Sequence, residues 1–265
     1  MNGRNPLWTF SGVRQAAWLF FAFLYIPILV LVVLSFNSGQ SATLWESFSL
    51  KWYAVVANDP EILRAAKNSL LVATLATLAS TVLATLAALG MRGRAFRGQT
   101  LMNGVLGLPL LVPEIVTAVA TLMFFAFIGL KLSLFTILLA HIVFCIPFAY
   151  LPIRARLNDL DKSLLEAAGD LYASPYQVFR RVTLPLLWPA VLSGAVLAFV
   201  VSLDDFIMTF FVAGPGSTTL PVYIFSAIKA GVTPEINAIS TLMLVISIVL
   251  VVLSYWLGQR GKPDA

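Results

Sequence analysis

Apolar residues in this chain neither alternate nor form narrow stripes. They come in six long runs, at residues 16–36, 68–90, 101–129, 132–153, 186–212 and 236–258. Each run reaches or exceeds the roughly 20 residues that let a helix cross about 30 Å of hydrocarbon. Open strands would leave unpaired backbone groups in lipid, so runs of this length predict helices. The expected fold is therefore an all-α integral membrane protein with six transmembrane helices. Pro27, Pro109, Pro113 and Pro147 fall inside the runs, where proline kinks a helix and frees carbonyls without abolishing the span. The third run holds two of them, and reads either as one span or as an oblique entry followed by a straight span.

One long stretch between the fourth and fifth runs breaks the pattern: "RARLNDLDKSLLEAAGDLYASPYQVFRRVTLPLLWPA", residues 154–190. Asn158 or Asp159 can cap a helix in which Leu160, Leu164, Leu165, Ala168 and Leu171 recur at helical spacing, with Asp161, Lys162, Glu166 and Asp170 mostly opposite. Ser174 and Pro175 then read as cap and first residue of a second short helix carrying Phe179, Arg180 and Arg181, which Pro185 ends. From periodicity alone this segment is either an interfacial amphipathic linker or a surface for a partner. A second polar stretch, residues 212–238, holds turn formers at both ends. Thr233, Pro234 and Glu235 suit the start of the sixth span, and the apolar piece before them suits a short outer lid, a docking surface or a plain connector.

Composition removes the soluble alternatives: 60% of the 265 residues are hydrophobic and 11% charged, with a mean hydropathy of +0.92. Charge sets the orientation, because Lys and Arg stay on the cytoplasmic side. With the N-terminus inside, Arg4, Arg14, Arg92, Arg94, Arg97, Arg154, Arg156, Lys162, Arg180, Arg181, Arg260 and Lys262 are cytoplasmic. Lys51, Arg64, Lys67, Lys131 and Lys229 are the remainder of the 17. Both termini are then expected in the cytoplasm, and the net charge of +5 is explained by topology rather than by nucleic acid. The first run exceeds a signal h-region and no A-x-A site follows it, so it is read as a retained helix. Cys145 is the single cysteine and reads as a packing residue.

No G-x-x-x-x-G-K-[ST] sequence occurs, so ATP chemistry must come from a partner. His141 is the only histidine and lacks a second ligand at metal spacing. It reads as a helix-packing residue bonded to a neighbouring helix, or as a proton relay. No serine nucleophile with a base is evident, and no enzyme activity is expected.

The fifth run carries an anomaly, "FVVSLDDFIMTFF", in which Asp204 and Asp205 stand side by side. Two mid-helix aspartates cost about 5–7 kcal/mol, whereas the run's fifteen Leu, Ile, Phe and Val residues return about 4.5–9 kcal/mol. The span inserts with little surplus. Adjacent residues on a helix point about 100° apart, so one carboxylate is expected to line a path while the other hydrogen-bonds or caps a local break. The alternative is that both cap a helix end near the outer interface. Glu114, just after Pro113, is a third acid able to reach the same cavity. A few carboxylates on a pathway suit a polycation, which needs negative partners as it loses water and is trapped by too many.

Within the cytoplasmic stretch, "EAAGDLYASPYQVFRRVTLP" resembles the EAA loop of permease subunits of binding-protein-dependent ABC importers. The matching positions are Glu166, Ala167, Ala168, Leu171, Ala173, Phe179, Val182, Leu184 and Pro185, with Gly169 adding a small residue to the same turn. The sequence departs at Tyr172, where the family pattern has glycine: either the turn is ordinary there, or strain is tolerated. Taken with "SLDDF", the run "FFVAGPGSTTLPVYIFSAIKAGVTPEINA" resembles the polyamine branch of these permeases, so that the likeness covers about residues 64–258. The resemblance implies a single permease domain, residues 1–265, in a bacterial inner membrane, with coupling helices in loop 154–185 docking on an ATPase. It further implies a second similar permease, two ATPase subunits that bind the ATP and Mg, an outer substrate-binding protein, and spermidine or putrescine as the solute. Importers of the same pattern for a phosphonate, thiamine or ferric ion are the next reading. An ATP-independent channel or carrier leaves the loop unexplained.

Overall fold

The computed structural model describes residues 12–92 and 97–259. Arg4, Arg94, Arg260 and Lys262, four of the cations that set the expected orientation, lie outside the described residues. Among the described residues there are helices and no strand, apart from one isolated antiparallel bridge between Asn37 and Phe48. The helices are α1 (Val13–Leu34), α2 (Lys51–Asn58), α3 (Pro60–Gly90), α4 (Gln99–Leu111), α5 (Glu114–Phe127) and α6 (Leu134–Asp159). Next along the chain come α7 (Lys162–Asp170), α8 (Pro175–Val178), a π-helical turn (Phe179–Thr183), α9 (Leu184–Asp204), α10 (Ile207–Val212), α11 (Leu220–Ala230) and α12 (Pro234–Gln259).

Five helices are long and apolar enough to cross a bilayer, and a sixth span is formed if α4 and α5 are counted as one bent pair. Their mutual angle of 111° shows that the third run is not a single rod. The bend falls at Val112 and Pro113, both extended, where the proline ring disfavours helical geometry in the residue before it. The fifth run also departs from one continuous span, because α9 stops at Asp204 and α10 begins at Ile207.

The chain packs as two compact units. One combines the chain up to Asp59 with Ser226–Leu242, and the other combines Pro60–Phe225 with the chain from Met243 onward. In the first unit the segment after α1 is a tight loop organised by buried Asn37. Its side chain donates to the carbonyls of Ser41 (3.2 Å) and Leu44 (2.6 Å) and accepts from the Glu46 N–H (2.8 Å). Phe36 stacks on Phe48 beside it, and Asn237 reaches the Ala42 carbonyl at 3.0 Å. The lipid-compatible helix α1 buries none of its residues.

In the second unit α3, α6 and α9 pack against one another. Their contact faces are lined by small residues: Ala73, Ala76, Ser80 and Ala84 of α3, Ala149 of α6, Gly194 and Ala198 of α9. In lipid the hydrophobic effect does not draw helices together, so close backbone approach and van der Waals contact must do so. Gly194 shows how close the approach is, since a Cβ there would stand 2.7 Å from the Ala149 carbonyl oxygen.

The cytoplasm-assigned stretch differs in detail from its sequence reading. Helix α6 runs through Asn158 and Asp159, so neither serves as a cap, and the cap of α7 is Asp161, which accepts from the Ser163 N–H at 2.9 Å. Ser174 and Gln177 form a reciprocal capping box at the start of α8. Pro185 does not end a helix: α8, the π-helical turn and α9 form one continuous 30-residue rod. Pro185 stands just after the π-helical turn, whose widening leaves room in the rod for a ring that has no N–H to give.

Candidate functional site

The break between α9 and α10 is built around Asp205. The residue is extended, with φ −64° and ψ 125°. Its carboxylate accepts from the Met208 N–H (3.3 Å), the Thr209 N–H (2.8 Å) and the Thr209 hydroxyl (2.8 Å). It thereby occupies the free N–H groups that open α10, as a side chain does at any helix start. His141, from the middle of α6, completes the cluster. Its Nε2 lies 3.1 Å from Asp205 Oδ2 and 2.9 Å from Thr209 Oγ1, and its Nδ1 lies 2.7 Å from Ser202 Oγ on α9. His141 and Asp205 are both buried.

Glu114, the first residue of α5, comes to the same place. Helix α5 packs against α10, and the Glu114 carboxyl neighbours that of Asp205. Like charges in one site repel, so neighbouring carboxylates make a place where a cation is favoured. The 111° bend is what aims the N-terminus of α5 at the break, and a helix N-terminus itself favours negative charge. Asp204 has a different environment: it is exposed and accepts from Ser247 of α12 at 2.9 and 3.0 Å. The two neighbours are therefore not helical neighbours 100° apart. The backbone turns between them and sends one into the bundle and the other to its surface.

An apolar cavity of about 550 Å³ lies beside this cluster, bounded by Thr121, Phe124 and Phe125 of α5, Leu139 and Phe144 of α6, and Met208 of α10. Beyond the break the loop after α10 is tied down rather than free. Asn68 of α3 donates to the carbonyls of Gly216 (3.3 Å) and Thr218 (2.9 Å), and Ser69 accepts from the Leu220 N–H (2.8 Å). The Thr136 hydroxyl holds the Val212 carbonyl at 2.8 Å. Gly214 lies flat against the Leu132 backbone, leaving no room for a Cβ.

The loop residues form a separate set. Glu166, Ala167, Ala168 and Gly169 share the short helix α7, while Phe179 lies in the π-helical turn and Leu184 and Pro185 open α9. Of these, Glu166, Ala167 and Gly169 are exposed, as is Leu171 just after α7, and Ala173 is half-buried. Helix α9, 21 residues and about 31 Å long, separates this set from the acids at its other end. The turn after α7 is of the Schellman type, with the Ala173 N–H on the Ala168 carbonyl (3.1 Å) and the Tyr172 N–H on that of Gly169 (2.9 Å). Tyr172 thus occupies the position where glycine is usual, and it does so at φ +57° with its side chain 96% exposed. Of the two possibilities left by the sequence, strain is the one realised. Among the described residues no group of His, Cys, Asp and Glu could hold a metal ion.

Sequence reasoning expected Glu114 near the aspartate pair but missed what holds the acids in place. Ser202 and Thr209 are ordinary residues in an apolar run, and they stand 61 and 68 positions from His141. The usable signal was the lone histidine itself, since a polar ring deep in a span must find partners.

Comparison with known proteins gives a consistent neighbourhood. Residues 80–263 match the family of binding-protein-dependent transport system inner membrane components. The chain is 40% identical over 239 residues to the spermidine/putrescine transport system permease protein PotC of Escherichia coli (strain K12), covering 90% of each chain. It is 39% identical over 251 residues to the putrescine transport system permease protein PotI of the same strain, covering 92% of this chain and 89% of that one. Among solved structures, a bacterial ABC transporter involved in the import of the acidic polysaccharide alginate superposes with a TM-score of 0.71. At 18% identity it covers 94% of this chain and 93% of that one, a likeness in fold.

Proposed function

This chain belongs to the family of binding-protein-dependent transport system inner membrane components, and from that premise we propose that it is the permease subunit of an ATP-driven importer of polyamines. Spermidine and putrescine are the solutes named for its relatives PotC and PotI. The observation that carries the proposal within the chain is the placing of Glu114 and Asp205 as neighbours at a helix break where α5 packs against α10, with Asp204 turned to the bundle surface. Such a group offers a desolvating ammonium the negative partners it needs, in a number small enough to let it go. The adjoining apolar cavity suits the methylene segments between ammonium groups. An anionic phosphonate would meet repulsion at the same place.

The chain works as one membrane domain, with both termini and the loop of residues 154–185 in the cytoplasm. Glu166 and its neighbours on α7 dock on one of two ATPase subunits, which hold the ATP and Mg. A second permease completes the pathway, and an outer binding protein delivers the solute. The exposure of α7 and of Leu171 after it supports the docking role.

Reconstitution of the chain with its partner permease and ATPase in liposomes tests the whole reading. ATP-dependent uptake of radiolabelled spermidine or putrescine is expected, with none of a phosphonate, thiamine or ferric ion. Uptake by this chain alone, without an ATPase, would sink the importer assignment. Glu166→Lys is expected to abolish coupled uptake while leaving membrane insertion intact and thermal stability within about 0.5 kcal/mol of the parent. Unchanged uptake in that variant removes the docking role.

A further inference from the structure

The polar cluster at the α9–α10 break contains one residue that the transport reading does not use, His141. Its position is unusual in that it touches both sides of the break: Ser202 in the last turn of α9, and Asp205 and Thr209 at the start of α10. Hydrogen bookkeeping fixes which nitrogen carries the proton. The Thr209 hydroxyl hydrogen is already given to Asp205 Oδ2, and Asp205 is an acceptor, so Nε2 must be the donor toward this pair. Nδ1 then accepts from the Ser202 hydroxyl in the neutral ring. Both ring nitrogens are thereby committed, and the ring is locked in one orientation, buried to 1% exposure.

From this geometry we propose that His141 is a positioning residue for the cation pathway: it holds the Asp205 carboxylate in register with Glu114 by clamping the two helix ends together. With four donors on Asp205, namely two backbone N–H groups, the Thr209 hydroxyl and His141 Nε2, its carboxylate cannot swing to follow a passing charge. Glu114 has no such anchoring among the described hydrogen bonds, so the pair combines one fixed acid and one adjustable acid. Without His141 the two backbone donors and the Thr209 hydroxyl remain, but none of them reaches α9 across the extended residue. The proposal rests on the pathway reading and assigns within it the residue that sets the geometry.

The ring's two nitrogens can be separated by substitution. The amide of glutamine reaches the place of Nε2, whereas that of asparagine reaches only the place of Nδ1. In the reconstituted importer, His141→Phe and His141→Asn are expected to raise the KM for polyamine uptake by about tenfold or more, the worth of one hydrogen bond to a charged group. The maximal rate should change much less, and His141→Gln should recover most of the loss. Equal behaviour of the Asn and Gln variants, or a wild-type KM in His141→Phe, would overturn the positioning role and return His141 to packing. A fall in maximal rate with unchanged KM would overturn it in favour of a proton relay. The clamp itself is read without any solute, from thermal unfolding of the purified importer. Losses in His141→Phe and Asp205→Asn are expected to combine sub-additively, and additive losses would refute the contact. That arm stands even if the wild-type importer moves no polyamine, a result that would remove the substrate assignment alone.

Discussion

The two ends of α9 solve opposite problems. At the Asp205 end the polar side chains of the break find partners inside the chain: the carboxylate, the imidazole, the two hydroxyls and the N–H groups of Met208 and Thr209 satisfy one another. At the other end Leu171 is 82% exposed, Tyr172 holds a left-handed backbone in the open, and α7 packs against little but α8. The first region is fixed by its own bonds and the second is left for something else to complete. A bilayer explains the asymmetry, because an unmade hydrogen bond is costly in hydrocarbon and cheap beside water.

Substitutions should therefore separate the two ends by size of effect on stability. The largest is expected from Asp205→Ala, which strands the donors of Met208, Thr209 and His141 in the bundle. A loss of about 3–5 kcal/mol, read from thermal unfolding in detergent, is the expected result of removing one member of a buried charged network. Next comes Gly194→Val, which wedges α6 from α9 at the Ala149 carbonyl. It should cost about 1–3 kcal/mol in the same measurement, as overpacking does. At the loop end the sign reverses: Tyr172→Gly relieves the positive φ and is expected to stabilise the turn by about 1 kcal/mol. The gain should be visible as slower amide exchange in α7.

The smallest effect concerns pH. The Ser163 N–H bonded to Asp161 holds that carboxyl below its ordinary value of 3.8. Folded α7 therefore favours the charged cap. Its contribution is complete above pH 3.8 and is lost as pH falls below that value. Exchange protection of α7 should be flat between neutral and mildly acidic pH, and reduced at neutral pH in Asp161→Ala, which lacks the cap.

Legibility in the sequence divides along the same line. Long apolar runs predicted the six spans because length and hydropathy are local properties, and Ser174 with Pro175 marked the α8 cap for the same reason. The third span's bend was half legible, since Pro109 and Pro113 announced a disturbance without its angle of 111°. The break at Asp205 was half legible too: one acid of the pair was expected to cap a local break, but which acid does so is decided by partners on α6 and α10 that meet only after folding. Asn158 and Asp159 misled as caps because α6 continues past the apolar run through Arg154 and Arg156. The Arg156 side chain there finds the Leu186 carbonyl at 3.2 Å and the Arg154 side chain finds Asn103 at 2.8 Å.

The π-helical turn at Phe179–Thr183 gives the loop of residues 154–185 a facing as well as a place. A π-turn takes one extra residue into the helix by local widening, so the rod beyond keeps its facing instead of rotating by the roughly 100° that an added residue otherwise brings. The face from which α8 and the loop before it leave the rod is thus kept in register with α9 by that single wide turn. Adding a residue that the turn cannot absorb would leave α7 and α9 chemically unchanged, yet swing the loop by about 100° around the bundle it serves.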